Sequence, residues 1–108
     1  MTDLKALKEK ALSDCPADKS FWTCHGAVFR NIYEMLDNIK NQNKDAFRYH
    51  VNRDNKKNDY GSWIKDVLTD EELAKRLKRI MKKDRYADII QQRIKELENV
   101  NSTKPLKK

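Results

Sequence analysis

Between Ala27 and Asn41 the apolar residues Val28, Phe29, Ile32, Tyr33, Leu36 and Ile39 recur at helical spacing. A stripe of that period forms one face of a helix and has to be covered by something else in the chain. Its other face carries Arg30, Asn31, Glu34, Asp37, Asn38 and Lys40, a mixed and nearly neutral set. The same period returns in Leu4, Leu7, Ala11 and Leu12, which predict a helix over about residues 3–13 with Thr2 or Asp3 as its cap. It returns in Trp63, Ile64, Val67 and Leu68, then in Leu73, Ala74, Leu77, Ile80 and Met81, and finally in Tyr86, Ile89, Ile90, Ile94 and Leu97 over 85–99. With two glycines and two prolines in 108 residues, little of the chain is built for irregular loops. These features predict an all-α protein, a single compact irregular bundle of about five helices over residues 1–99, followed by a basic flexible tail over 100–108.

The breaks between stripes are legible too. Asp14 to Lys19, with Pro16, reads as a connection, and Asn41-Gln42-Asn43 as a stop. A short helical turn over 45–50 brings Phe47 and Val51 to the core, and the polar run Asn52 to Asn58 reads as a solvated loop. Asp59 is placed to cap the Trp63 helix, while Thr69 with Glu72 has the capping-box spacing that starts the next helix at Asp70. No apolar run has the ~18 residues of a membrane span, and the first residues lack a secretory hydrophobic segment. A cytoplasmic location with no membrane partner is expected, as monomer or dimer, with Cys15 and Cys24 as free thiols.

The formal charge is +7, from 24 basic and 17 acidic residues. The excess divides almost evenly between the halves of the chain, but the clustering does not. Between Lys75 and Arg85 seven of eleven residues are basic: Lys75, Arg76, Lys78, Arg79, Lys82, Lys83 and Arg85, opposed only by Asp84. On a helix that starts at Asp70, Lys75, Arg76, Lys78, Arg79, Lys82 and Lys83 fall opposite the Leu73 stripe and make that face wholly basic. Such a ribbon can neutralise successive phosphates of a nucleic acid. The expected function is therefore a noncatalytic nucleic-acid-binding module that contacts mainly the phosphate backbone, with Lys95, Lys104, Lys107 and Lys108 assisting. Duplex DNA is placed ahead of RNA, with an acidic protein as another partner class. The alternative is a protein-interaction or structural module whose basic face is only solvated. A helix-turn-helix reading of 60–81 fits poorly, because Asp70-Glu71-Glu72 would repel phosphates at the base-reading end of the second helix.

Cys15, Cys24, His25 and His50 lack the spacing of structural zinc sites, and no metal or other cofactor is expected. A Cys-His nucleophilic pair among them has no identifiable orienting group or oxyanion donor, so no catalytic residues are assigned. Cys24 is expected as a small core residue and His50 as a hydrogen-bonded one. Phe21, Trp22, Phe47, Tyr49, Tyr60 and Trp63 are expected to pack in the core as a group, with Tyr49 and Tyr60, which flank the polar loop, the two most open to solvent.

Phe47-Arg48-Tyr49-His50-Val51-Asn52 and Asn58-Asp59-Tyr60-Gly61-Ser62-Trp63-Ile64-Lys65-Asp66-Val67, with Gly26, Asn31, Glu34 and Leu73-Ala74 around them, resemble the signature of a family of small uncharacterised helical domains of archaea and bacteria. The resemblance covers about residues 21–80 and implies a shared helical scaffold, with no activity attached. Its polar positions suggest one structural network of His50, Asn52, Asn58, Asp59 and Trp63 that fixes both ends of the loop, with a ligand pocket as the other reading. The stretch Arg53 to Lys57 and the basic continuation beyond Leu77 depart from that pattern.

Overall fold

A computed structural model of the chain describes residues 4–24, 26–52 and 57–100. Their helices are α1 (Leu4–Leu12), α2 (Ile32–Asn41), α3 (Lys44–His50), α4 (Asp59–Trp63), α5 (Glu71–Leu77) and α6 (Lys83–Glu98). A π-helical turn, Ile64–Leu68, extends α4. Two minimal antiparallel hairpins join them: β1 (Phe21–Trp22) with β2 (Val28–Phe29), and β3 (Val51–Asn52) with β4 (Lys57–Asn58). The radius of gyration, 14.2 Å, is close to the ~13 Å of a compact domain of about 100 residues. The mostly helical single bundle expected from the periodicity is therefore what forms. Of the proposed tail over 100–108, residues 101–108 lie outside the described residues, as do the proposed caps Thr2 and Asp3.

The Ala27 stripe divides. Only Ile32–Asn41 is helical, because Asn31 is an N-cap: its Oδ1 accepts the Glu34 N–H at 2.8 Å, while Glu34 Oε1 accepts the Arg30 N–H at 2.9 Å. The pair satisfies one open donor of the helix start, the Glu34 N–H, and ties down the backbone of the residue before the cap. Upstream, Gly26 turns the chain at φ +89°, a left-handed conformation that glycine adopts without a Cβ penalty. The turn brings Val28-Phe29 back against Phe21-Trp22 in register. Alternation then replaces the helical period: Phe21 and Phe29 point inward and stack at 4.8 Å, while Trp22 and Val28 face solvent. Trp22 is thus 69% exposed, against the expectation that it packs in the core. Cys24, just beyond it, is also exposed, and the buried thiol is that of Cys15. Tyr33, at the exposed edge of the stripe, keeps its ring partly in solvent and donates its hydroxyl to Glu98 Oε2 at 2.8 Å.

The core is aromatic at its centre. Tyr60 has no exposed surface and stacks on Phe21 at 5.1 Å and Phe47 at 6.3 Å, with Trp63 and Tyr86 around them. The loop-flanking pair therefore splits, Tyr49 remaining open and Tyr60 becoming a central core residue, because Tyr60 lies inside α4 rather than in the loop.

The largest departure lies in the basic stretch. Thr69 takes a left-handed conformation, φ 62°, and ends the π-helical turn, so the expected Thr69 capping box is absent. Asp70 caps instead, its Oδ1 accepting the Leu73 N–H at 3.2 Å. α5 then stops at Leu77: Lys78 is extended, Arg79 is left-handed at φ 69°, and α6 begins at Lys83. One helix through this region would set Lys75 above Arg79, Lys78 above Lys82 and Arg79 above Lys83, each like-charge pair unfavourable by about 0.2–0.5 kcal/mol. The break lets α6 pack on both α5 and α2, while Ile80 and Met81 still reach the core edge.

Candidate nucleic-acid interface

The broken helix redistributes the basic residues. Lys75 and Arg76 stay on α5, Lys78 and Arg79 lie in the turn, Lys82 precedes α6, and Lys83 and Arg85 are in its first turn. A single wholly basic helix face is therefore not formed. Arg76 is committed within the fold, donating from Nε to Glu72 and from Nη1 to Glu96, both at 2.9 Å. Lys75 and Lys78 border a shallow recess with Lys65, Glu71 and Glu72, where carboxylates offset the cations. Lys95 lies in the last turn of α6, and Lys104, Lys107 and Lys108 fall outside the described residues.

Lys82, Lys83 and Arg85 instead join two residues that the basic run did not include. α3 is capped by Asn43, whose Oδ1 accepts the Ala46 N–H at 2.8 Å, and it carries Lys44 and Arg48 four apart on one face. That face looks onto the start of α6 across a cavity of about 560 Å³, lined by Lys44, Arg48, Lys82, Lys83 and Arg85, by Asp84 and Asp88, and by Phe47 and Met81. Phe47 packs edge-on against Tyr86 at 5.2 Å, which ties α3 to the second turn of α6. Lys83 helps to close one end, its ammonium donating to the Lys40 carbonyl at 3.1 Å in the last turn of α2. Among the described residues Lys44, Arg48, Lys82 and Arg85 form no ion pair, and no side chain caps α6. Five cations and two carboxylates around one recess favour an anion there. Lys44 and Arg48 lie 31 and 27 residues before the start of the basic run at Lys75, and their only mark in the sequence is the four-residue spacing.

The five residues expected to form one network separate into distinct sets. His50 is buried, its Nε2 accepting the Cys24 N–H at 3.1 Å and its Nδ1 lying 2.9 Å from Asp59 Oδ2. The Cys24 donor requires Nε2 to be unprotonated, so the proton sits on Nδ1 and is donated to Asp59. Both ring nitrogens are used, which leaves His50 no lone pair for a substrate proton. Lys57 Nζ approaches the same Asp59 oxygen at 3.4 Å and lies over the Tyr49 ring at 4.1 Å. Asn52 donates to the Arg48 carbonyl at 2.9 Å, and Trp63 Nε1 to the Lys19 carbonyl at 2.7 Å.

Asn58, rather than Asp59, caps α4. Its Oδ1 accepts the Gly61 N–H and the Tyr86 hydroxyl, and its Nδ2 donates to the Leu77 carbonyl at 3.4 Å. A Cβ at Gly61 would sit 2.8 Å from Asn58 Nδ2, so the glycine makes room for the cap. Burial pushes the Tyr60 hydroxyl up to about 12 and the Tyr86 hydroxyl well above its ordinary range, keeping both protonated as donors.

A further polar centre was not foreseen. Arg93 grips Asp70 with Nε to Oδ2 at 2.9 Å and Nη2 to Oδ1 at 3.0 Å, and reaches Glu96 with Nη1 at 3.0 Å. Asp70 is 1% exposed and Arg93 7%. The sequence offered Asp70 only as the first residue of a helix. Its partner lies twenty-three residues on, on a helix whose phase had to be known first.

The geometry defines a small helical-bundle domain with an interhelical cleft rich in cations, and with buried polar side chains that are mostly paired, Thr23 Oγ1 and Asn38 Oδ1 excepted. Residues 30–106 match the model of a family of unknown function, DUF5752, and the chain belongs to that family. No curated protein and no solved structure matches it. Among the described residues there is no cluster of three or more His, Cys, Asp or Glu placed to hold a metal ion, and no helix long and apolar enough to cross a membrane.

Proposed function

We propose that the protein is a noncatalytic nucleic-acid-binding module that engages phosphates through the cleft between α3 and the start of α6. The observation that carries this reading is the convergence of Lys44, Arg48, Lys82 and Arg85 on one recess while no carboxylate among the described residues pairs with them. Unpaired cations facing a concavity raise the local concentration of anions and release counterions when phosphates bind. Of the seven residues in the basic run, Lys82, Lys83 and Arg85 carry the contact, Lys75, Lys78 and Arg79 add long-range attraction, and Arg76 serves the fold. Lys104, Lys107 and Lys108 supply further cations from the end of the chain.

Titration of labelled DNA and RNA at about 50 and 200 mM salt tests this, each phosphate contact contributing a slope of about 0.9 in log affinity against log salt for duplex DNA. Reversing Lys44, Arg48, Lys82 and Arg85 to Glu abolishes binding if the cleft is the interface. Absence of binding at the lower salt, or affinity unchanged by the reversal, would overturn the reading.

A second reading, a protein-interaction module, is favoured by Trp22, which lies cross-strand from Val28 with both side chains exposed. It predicts a self-associated form in light scattering that Trp22→Ala converts to monomer.

A further inference from the structure

We infer that the cleft takes a single nucleotide unit of an unpaired strand, and therefore selects single-stranded over duplex nucleic acid. This rests on the phosphate reading above and adds to it the form of the ligand. The expectation of duplex DNA depended on a straight basic ribbon lying along a regular backbone, and that ribbon is interrupted at Lys78 and Arg79. In its place is a concavity of about 560 Å³, within the ~300–1,000 Å³ of pockets that enclose small ligands. A duplex keeps its bases stacked inside and offers phosphates from a convex surface, so it touches only the rim of such a recess.

The lining is divided in the way an unpaired nucleotide is. Lys44 and Arg48 stand on one wall and Lys82 and Arg85 on the other, for a backbone that bends inward. Between them lies Met81, partly buried over the buried Phe47 ring, giving a base or sugar a small apolar surface. Met81 is unbranched and polarisable, and adapts to any base face. Asp88 would repel a second phosphate, but it accepts hydrogen bonds from base amino groups or sugar hydroxyls. A row of phosphates would meet that carboxylate unfavourably, whereas one phosphate with its base would not.

The test compares fluorescence anisotropy of one labelled strand of about 15 nucleotides, alone and annealed to its complement, at about 50 mM salt. The strand is expected to bind at least about fivefold more tightly than the duplex, the scale of one base contact. Met81→Gln should erase that preference by weakening binding of the strand. Asp88→Lys, at an exposed position, should narrow it by strengthening duplex binding. Equal or tighter binding of the duplex to the wild type overturns this inference and leaves the phosphate reading standing, whereas no binding of either form removes both. A strand preference that survives both substitutions also overturns it. Should Met81→Gln fail to fold, Asp88→Lys alone decides.

Discussion

The seam where α4, α5 and α6 meet and the cleft where α3 faces α6 are both rich in polar side chains, but they treat them in opposite ways. In the seam almost every polar group is matched. Asp70 is gripped by Arg93, Asn58 serves Gly61, Tyr86 and Leu77, and Arg76 bridges Glu72 and Glu96. Asp70 and Arg93 there are out of water, where an unpaired partner is costly, so they help to specify how the three helices pack. In the cleft, Lys44, Arg48, Lys82 and Arg85 gather around open volume and form no ion pair among the described residues. Satisfied polar groups mark the scaffold, and gathered cations left unmatched mark the surface proposed to bind phosphates.

That contrast can be broken most severely at Arg93. Arg93→Ala leaves the Asp70 carboxylate buried without its cation and should cost about 3–5 kcal/mol in denaturant unfolding, with nucleic-acid binding retained wherever the protein stays folded. Asn58→Ala comes next, because it removes the α4 cap and the acceptor of the buried Tyr86 hydroxyl. A loss of about 1–3 kcal/mol is expected, and a change below about 0.5 kcal/mol would mean that the seam is less dependent on its polar matching than the geometry implies. The cleft should behave inversely. Lys82→Glu with Arg85→Glu should leave stability within about 0.5 kcal/mol, yet lower nucleic-acid affinity at least about tenfold and flatten its salt dependence.

The smallest effect is acid sensitivity at the rim of the seam. The Arg76 guanidinium, helped by Arg93 and opposed by burial, holds the Glu96 carboxyl below its ordinary 4.5. A carboxyl depressed in the folded state contributes its full stabilisation above about pH 4.5 and loses it as pH falls through the folded value. Glu96→Gln should therefore reduce the difference between thermal midpoints measured at about pH 6 and pH 3. An identical pH dependence in the variant would place the acid response elsewhere.

Local signals in the sequence were read correctly where short-range geometry alone decides the outcome. α1 and α6 came from their apolar period, and the short helix at Phe47 from its stops and inward residues. The errors have a common cause. Val28-Phe29 fits a helical stripe as well as a strand, and only pairing with Phe21-Trp22 chooses between them. Asp59 and Thr69 are acceptable caps by residue type, and each lost to a neighbour, Asn58 or Asp70, that also has a buried partner on α6. The candidate site was half legible: Lys82, Lys83 and Arg85 stood out in the basic run, whereas Lys44 and Arg48 did not.

The sequence by itself determined that this chain is a helical bundle with excess positive charge, because period and composition are properties of neighbouring residues. Tertiary structure alone decided that the excess is not a ribbon. Once α5 stops at Leu77 and α6 folds back, the basic run is cut, Arg76 is drawn into ion pairs, and Lys82 and Arg85 turn toward cations from another helix. Whether a charge is spent inside the fold or left for a ligand depends on which side chains lie opposite it in space.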